Sequence, residues 1–185
     1  YFGTGEYPYK TILKETDCES IASDLSSIGY GTHVVHNNGG NFYSRANAFS
    51  MMGFDTFTSK EMMNIQEYTP LGDWPTDNIL INETKKAMDA TPDQADLVYT
   101  ITVQGHGDYP TEKIIADPEI TVSGADTQEA NNQWEYYVNE IHEVDKFIGN
   151  LTDMLSKRDE KTILVLFGDH LPTMGIEHSD MKSRD

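Results

Sequence analysis

Apolar residues along this chain recur with two rhythms, and the switch between them divides it into elements. In "DCESIASDLSSI", Ile21, Leu25 and Ile28 stand at helical spacing, which predicts a helix over 17–28 that Gly29 ends. "GTHVVHN" is short and β-branched and predicts a buried strand. "FYSRANAFSMMG" reads as a helix closed by Gly53, with a short extended piece, "FDTF", after it. "TDNILINETKKAMDA" opens on an Asp/Thr cap signal and continues at helical spacing. "ADLVYTITVQ" is a second buried strand. Residues 128–156 hold the longest helical pattern, with Trp134, Tyr137, Val138, Ile141, Val144, Ile148, Leu151 and Leu155 on one stripe. "TILVLFGD" follows as a third buried strand. Between the second strand and the long helix lies "GHGDYPTEKIIADPEITVSGAD", a loop rich in Gly, Pro and Asp.

Strands that alternate with helices predict an α/β fold with a mostly parallel sheet flanked by helices. The three best strands are near-continuous apolar runs, as expected where helices cover both faces. In such sheets ligands bind beyond the carboxyl ends of the strands. A length of 185 residues suits one domain, 1–185, with a sizeable core. No internal repeat and no low-complexity segment interrupts it.

Charge narrows the partners. With 31 Asp+Glu against 13 Lys+Arg, the formal net charge is −18. That excludes nucleic acid, whose phosphates need cations, and a polybasic grip on an anionic membrane. It leaves room for one small anionic ligand held by a metal or a few local cations. Cys18 is the single cysteine, so an internal disulfide and a Cys-type zinc site are both excluded, while the compartment stays open. No apolar run in these residues is long enough to span a bilayer, and none reads as a signal peptide. Neither the opening "YFGTGEYPYK" nor the closing "SDMKSRD" reads as a natural boundary, so the chain is expected to be an excised part of a longer protein.

The chemistry gathers where the strands stop. "THVVHNN" ends in His36, "VYTITVQGHGDYP" in His106, and "ILVLFGDH" in Asp169 and His170. The ends of parallel strands converge on one edge, so these residues are expected to share a pocket. Asp169 and His170 offer one hard oxygen and one borderline nitrogen, suited to Mn²⁺, Zn²⁺ or Mg²⁺. Alone, the pair equally describes a turn cap beside a surface histidine. Its place at the end of an apolar strand, with two more histidine-bearing strand ends, favours the metal. The glycines around His106 let backbone approach a ligand closely, the alternative being a glycine-rich loop with an incidental histidine. Tyr43 and Arg45 follow His36, and Arg45 is suited to hold a phosphate or sulfate bidentately if it is not simply ion-paired on a helix surface. His33 is expected to pack in the sheet and His142 to be half-buried on the long helix. Met51, Met52, Met62 and Met63 are read as gap-filling core or cover, and the acidic surplus as a solvated face.

These motifs, in this order, resemble the sulfatase-like domain of lipoteichoic acid synthases and related phosphoglycerol transferases, in the alkaline phosphatase superfamily. "SDLSSIGYGTHVVHNNGGNFYSRANAFSMMGFDTF" is similar to the family's helix, strand, H-x-N, F-W-N-R and GYDKF stretch. "VYTITVQGHGDYP" is similar to its strand ending in TNHxPY, "YVNEIHEVDKFIGNLTDML" to its Y…(H/Y)xxD helix, and "ILVLFGDHLP" to its GDH metal motif. The resemblance covers most of the chain and implies a partial alkaline-phosphatase/sulfatase-like domain. It implies that Asp169 and His170 are metal ligands, with Mn²⁺ the usual ion, and that His36, Tyr43, Arg45 and His106 contact the phosphate and glycerol of the substrate. Tyr43 stands where the family usually has a tryptophan, which keeps an aromatic platform.

The family's nucleophile is a threonine at a helix start, upstream of the region that resembles residues 1–10, and its carboxylate metal ligand lies further upstream. Thr4 in "YFGTGEY" does not have that context, so no catalytic nucleophile is expected in this chain and the piece alone is expected to be inactive. The resemblance implies a membrane-anchored parent with this domain on the extracellular face of a bacterial membrane. There, a metal-activated threonine attacks a phosphatidylglycerol-type lipid and passes phosphoglycerol to an acceptor or a glycerolphosphate polymer. Two other readings compete: a sulfatase or phosphodiesterase with water as acceptor, and a non-catalytic surface module that binds an anionic glycan or lipid head group.

Overall fold

The computed structural model describes residues 7–174. Two compact units make up the chain, one from Tyr1–Tyr68 with Gly72–Val103, the other from Thr69–Leu71 with Gln104–Asp185.

The first unit is an α/β layer. Strand β1, Gly31–His36, is buried at every position. It pairs in parallel with β2, Thr56–Ser59, on one edge and with β3, Asp96–Ile101, on the other. The order is β2-β1-β3, so the sheet's third strand starts within the predicted extended piece "FDTF" and runs two residues past it, to Ser59. A central parallel strand needs apolar cover on both faces, which the unbroken burial of β1 reports. Helices α1, Ile21–Ser27, and α3, Ile79–Asp89, pack on β1, and α3 packs on β3 as well. Leu80 is the largest fully buried side chain here. Helix α2, Arg45–Met51, lies against β2, where Phe49 meets Phe57 edge to face at 5.1 Å.

Helix α1 is shorter than the predicted span because its start is fixed by a reciprocal cap. Ser20 Oγ accepts from the backbone N–H of Ala22 and Ser23, and Ser23 Oγ accepts from Ser20 N at 2.8 Å. Its buried contact is Ala22, while Ile21 and Ile28 are exposed. Gly29, at φ +94°, lets the chain leave the helix, and Tyr30 N–H returns to Leu25 O at 3.1 Å. His33 is buried as expected, its Nδ1 2.7 Å from Thr56 Oγ1 and its Nε2 3.4 Å from Asp96 Oδ1.

The second unit is built on α4, Gln128–Ser156, capped by Thr127 Oγ1, which accepts from Ala130 N at 3.1 Å. Tyr136, Phe147 and Leu151 are its buried apolar positions. The predicted loop runs along this helix, and side-chain amides satisfy its backbone. Asn139 brackets Ile120, accepting its N–H at 3.0 Å and donating to its carbonyl at 2.8 Å. Asn132 donates to Thr111 O and Gln133 to Tyr109 O. Loop backbone needs such partners, which is why polar residues interrupt the helix's apolar stripe. His142 is half-buried and meets Glu119 at 3.2 Å.

The third predicted strand is not formed. Residues 161–168 pair with no strand among the described residues, and their side chains are exposed, Ile163 at 91% and Val165 at 72%. An apolar run becomes a strand only when a neighbour takes its ladder of N–H and C=O groups. No helix among the described residues is long and apolar enough to cross a membrane.

Candidate functional site

Two groups of the expected residues take shape, one in each unit. In the first, His36 ends β1 and is almost fully buried. Its Nδ1–H donates to Ile101 O at 2.8 Å, which leaves the lone pair on Nε2. Burial pushes its pKa down to about 4, against the carbonyl bond that favours the cation, and the Arg45 charge lowers it further. His36 is therefore a neutral acceptor around pH 7.

Arg45 opens α2 and is half-buried, which lowers its own pKa. Its Nη1 donates to Gly39 O at 3.2 Å, and its guanidinium lies 5.2 Å from the Phe42 ring and 5.9 Å from the Tyr43 ring. Tyr43 and Ser44 both take left-handed backbone, each at φ 56°, immediately before α2. Non-glycine residues rarely hold that conformation, and here two in succession turn the aromatic pair outward beside the arginine. Glu61 fixes the loop below, accepting from Ser59 Oγ at 2.6 Å and Gly40 N at 3.1 Å, and these bonds hold its carboxyl below the usual range.

Sequence reasoning passed over two neighbours of His36. Asn37 and Asp77 are both fully buried and are joined by a bond of 2.9 Å between Asn37 Nδ2 and Asp77 Oδ1. The only sequence signal was Asp77's place in the cap segment of a predicted helix, which explains a turn and not a contact 40 residues away.

In the second unit, His106 and His170 come together edge to face with ring centroids 5.6 Å apart. Each donates Nδ1–H to a backbone carbonyl, His106 to Gly107 at 3.1 Å and His170 to Leu171 at 2.9 Å. That tautomer leaves the lone pair on Nε2, the form in which an imidazole ligates a metal or accepts from a hydroxyl. His170 Nε2 lies 3.8 Å from Asp169 Oδ1, so one nitrogen and one carboxylate are neighbours on an exposed turn. The glycine beside His106 is needed for packing, since a Cβ on Gly107 would fall 2.6 Å from Thr173 Oγ1. Tyr109 braces the turn by donating to Gly105 O at 3.0 Å, and burial raises its pKa to about 12. No group of three or more His, Cys, Asp or Glu positioned to hold a metal occurs among the described residues. Asp169 and His170 fit two positions of a divalent-ion shell in donor type and tautomer. Thr4 lies outside the described residues.

Comparison with known proteins agrees with this architecture. The chain is 32% identical over 176 residues to a putative cyclic beta-1,2-glucan modification protein of Rhizobium meliloti (strain 1021), covering 95% of this chain and 27% of that protein. Its fold matches the lipoteichoic acid synthase LtaP from Listeria monocytogenes, with TM-score 0.62 and 24% identity over 81% of this chain and 36% of that one. It also matches the Streptococcus pyogenes phosphoglycerol transferase GacH in complex with sn-glycerol-1-phosphate, with TM-score 0.68 and 19% identity over 86% of this chain and 41% of that one. A Vibrio parahaemolyticus protein of the alkaline phosphatase superfamily gives TM-score 0.56 at 17% identity, covering 84% of this chain and 36% of that one. The chain thus spans about a quarter of its curated relative and about two-fifths of these structures. The family model described as Sulfatase matches residues 1–184, which shows that the chain belongs to the sulfatase family.

Proposed function

We propose that this chain is part of a metal-dependent phosphoglycerol transferase acting on a phosphatidylglycerol-type lipid to build a cell-envelope glycerolphosphate polymer. The observation that carries the reading is the pairing of a buried, neutral His36 with a half-buried Arg45 at the carboxyl end of β1. In this reading Arg45 neutralises phosphoryl oxygens, His36 accepts from a glycerol hydroxyl through Nε2, and Tyr43 lies along the glycerol; His106 is a further substrate contact that accepts from a hydroxyl through its own Nε2. Asp169 and His170 Nε2 would hold Mn²⁺, or Mg²⁺ or Zn²⁺, an ion that would supply charge neutralisation. The nucleophile comes from outside this chain, so the 185 residues alone do not turn over. The parent is membrane-anchored with this domain on the extracellular face. The likeness in fold to a lipoteichoic acid synthase and a phosphoglycerol transferase supports this reading.

The 32% relative, named for glucan modification, favours a second reading of the acceptor: a glucan hydroxyl in place of a glycerolphosphate chain end. Both are tested by incubating the full-length protein with Mn²⁺ and phosphatidylglycerol vesicles, with and without a β-glucan. Diacylglycerol release that chelation abolishes, and that Arg45→Ala lowers by about 100-fold or more, is expected. Label transferred to the glucan selects the second acceptor. Cleavage of a sulfate ester without diacylglycerol release overturns the proposal.

A further inference from the structure

We infer that Asp77 is a positioning residue for His36, acting through Asn37 and Val103; the inference rests on the reading of His36 as a substrate contact. Asp77 is fully buried just before α3, and its Oδ1 accepts two hydrogen bonds, from Asn37 Nδ2 at 2.9 Å and from the Val103 backbone N–H at 3.0 Å. Asn37 directly follows His36, at the end of β1. Val103 stands two residues beyond Ile101, the end of β3 and the acceptor of the His36 Nδ1–H bond. The ends of the two strands are thus joined twice: by the imidazole itself, and by a carboxylate from a third segment.

Asn37 cannot turn its amide over without loss. Its Nδ2 also lies 3.3 Å from both Pro75 O and Thr76 O, so three acceptors surround that nitrogen and specify which end of the amide faces them. The arrangement fixes the residue after His36 from one side and the chain beyond Ile101 from the other. A side chain that only filled this space would not need a charge, and burying one is costly. What the carboxylate adds is direction, because it sets the spacing of the strand ends and with it the length and angle of the His36–Ile101 bond. That bond selects the tautomer and aims Nε2. Exchanging the carboxylate for an amide leaves a weaker acceptor for the Val103 N–H and the Asn37 amide and puts an NH2 where the second oxygen stood, so in a dry site the strand ends shift and the imidazole loses its fixed bearing.

The test is a double-mutant cycle on the full-length protein, using Asp77→Asn, His36→Ala and the pair. Asp77→Asn is expected to lower kcat/KM for diacylglycerol release from phosphatidylglycerol vesicles by about 10- to 100-fold. In the His36→Ala background the same change is expected to cost less than about twofold, because the residue it positions is gone. Equal losses in both backgrounds overturn the inference, since general loosening of the fold adds to any defect. If the wild type releases no diacylglycerol, the functional reading fails by itself, and the ¹⁵N imidazole spectrum of His36 then decides the positioning. A shift from the Nδ1–H form toward the Nε2–H form in Asp77→Asn supports it, and an unchanged spectrum overturns it. Should Asp77→Asn fail to fold by circular dichroism, Asn37→Ala replaces it in the same cycle, with the same two outcomes.

Discussion

Strand β1 and the run at 162–167 make an instructive pair. By composition "TILVLF" is the better strand, since "GTHVVH" carries two histidines and a glycine. Yet Val34 and Val35 of β1 have no exposed surface, while Val165 is 72% and Phe167 71% exposed. The difference lies in neighbours and not in the residues themselves. β1 has β2 along one edge, β3 along the other, and α1 and α3 packed on it. The later run has no ladder partner among the described residues. An apolar pattern states a requirement for burial; a second segment has to meet it.

That contrast can be attacked from both sides. The largest effect is expected from Val35→Asp, which buries a charge at a site with no exposed surface. It should cost more than about 4 kcal/mol and abolish cooperative urea unfolding of the chain. Next is Leu80→Ala, which opens a cavity in a helix that covers β1, at about 2–5 kcal/mol by the same melts. A smaller loss comes through pH. His36 sits at about 4 in the folded chain against 6.5 when unfolded, so the unfolded state binds the extra proton first. Stability is then complete above pH 6.5 and falls as pH drops from 6.5 toward 4, by on the order of 1–3 kcal/mol. His36→Gln should remove that part of the pH dependence, read as the difference between the two melting series. The smallest effect belongs to Val165→Asp, within about 0.5 kcal/mol, because the side chain is already in water. A large loss there would show that the run is covered, and the comparison would collapse.

The same contrast explains how much was legible in the sequence. β1, β3, α3 and α4 could be read because each carries its periodicity within one segment. Gly29 and Gly53 marked helix ends correctly, both at positive φ. The start of α1 was misplaced because a reciprocal Ser20–Ser23 cap, and not the spacing of Ile21 and Ile28, decides where it begins. For the site, the strand-end reading holds in position for His36, while His106 lies five residues beyond the end of β3 and in the second unit; the structure adds what pattern cannot carry, the carbonyl each imidazole grips and the tautomer that follows. Asn37 and Asp77 went unread because their meaning lies in a contact between distant segments.

The exposed run has a consequence for anyone handling the chain. Five consecutive β-prone apolar residues without proline, Ile163 to Phe167, are the kind of segment that stacks with copies of itself. At neutral pH the −18 net charge holds copies apart. As acid titrates the carboxylates, that repulsion fades while the apolar run is unchanged. In colloidal terms, the acidic surface acts as the solubility guard of a segment that stands exposed in this chain, which spans about a quarter of its curated relative.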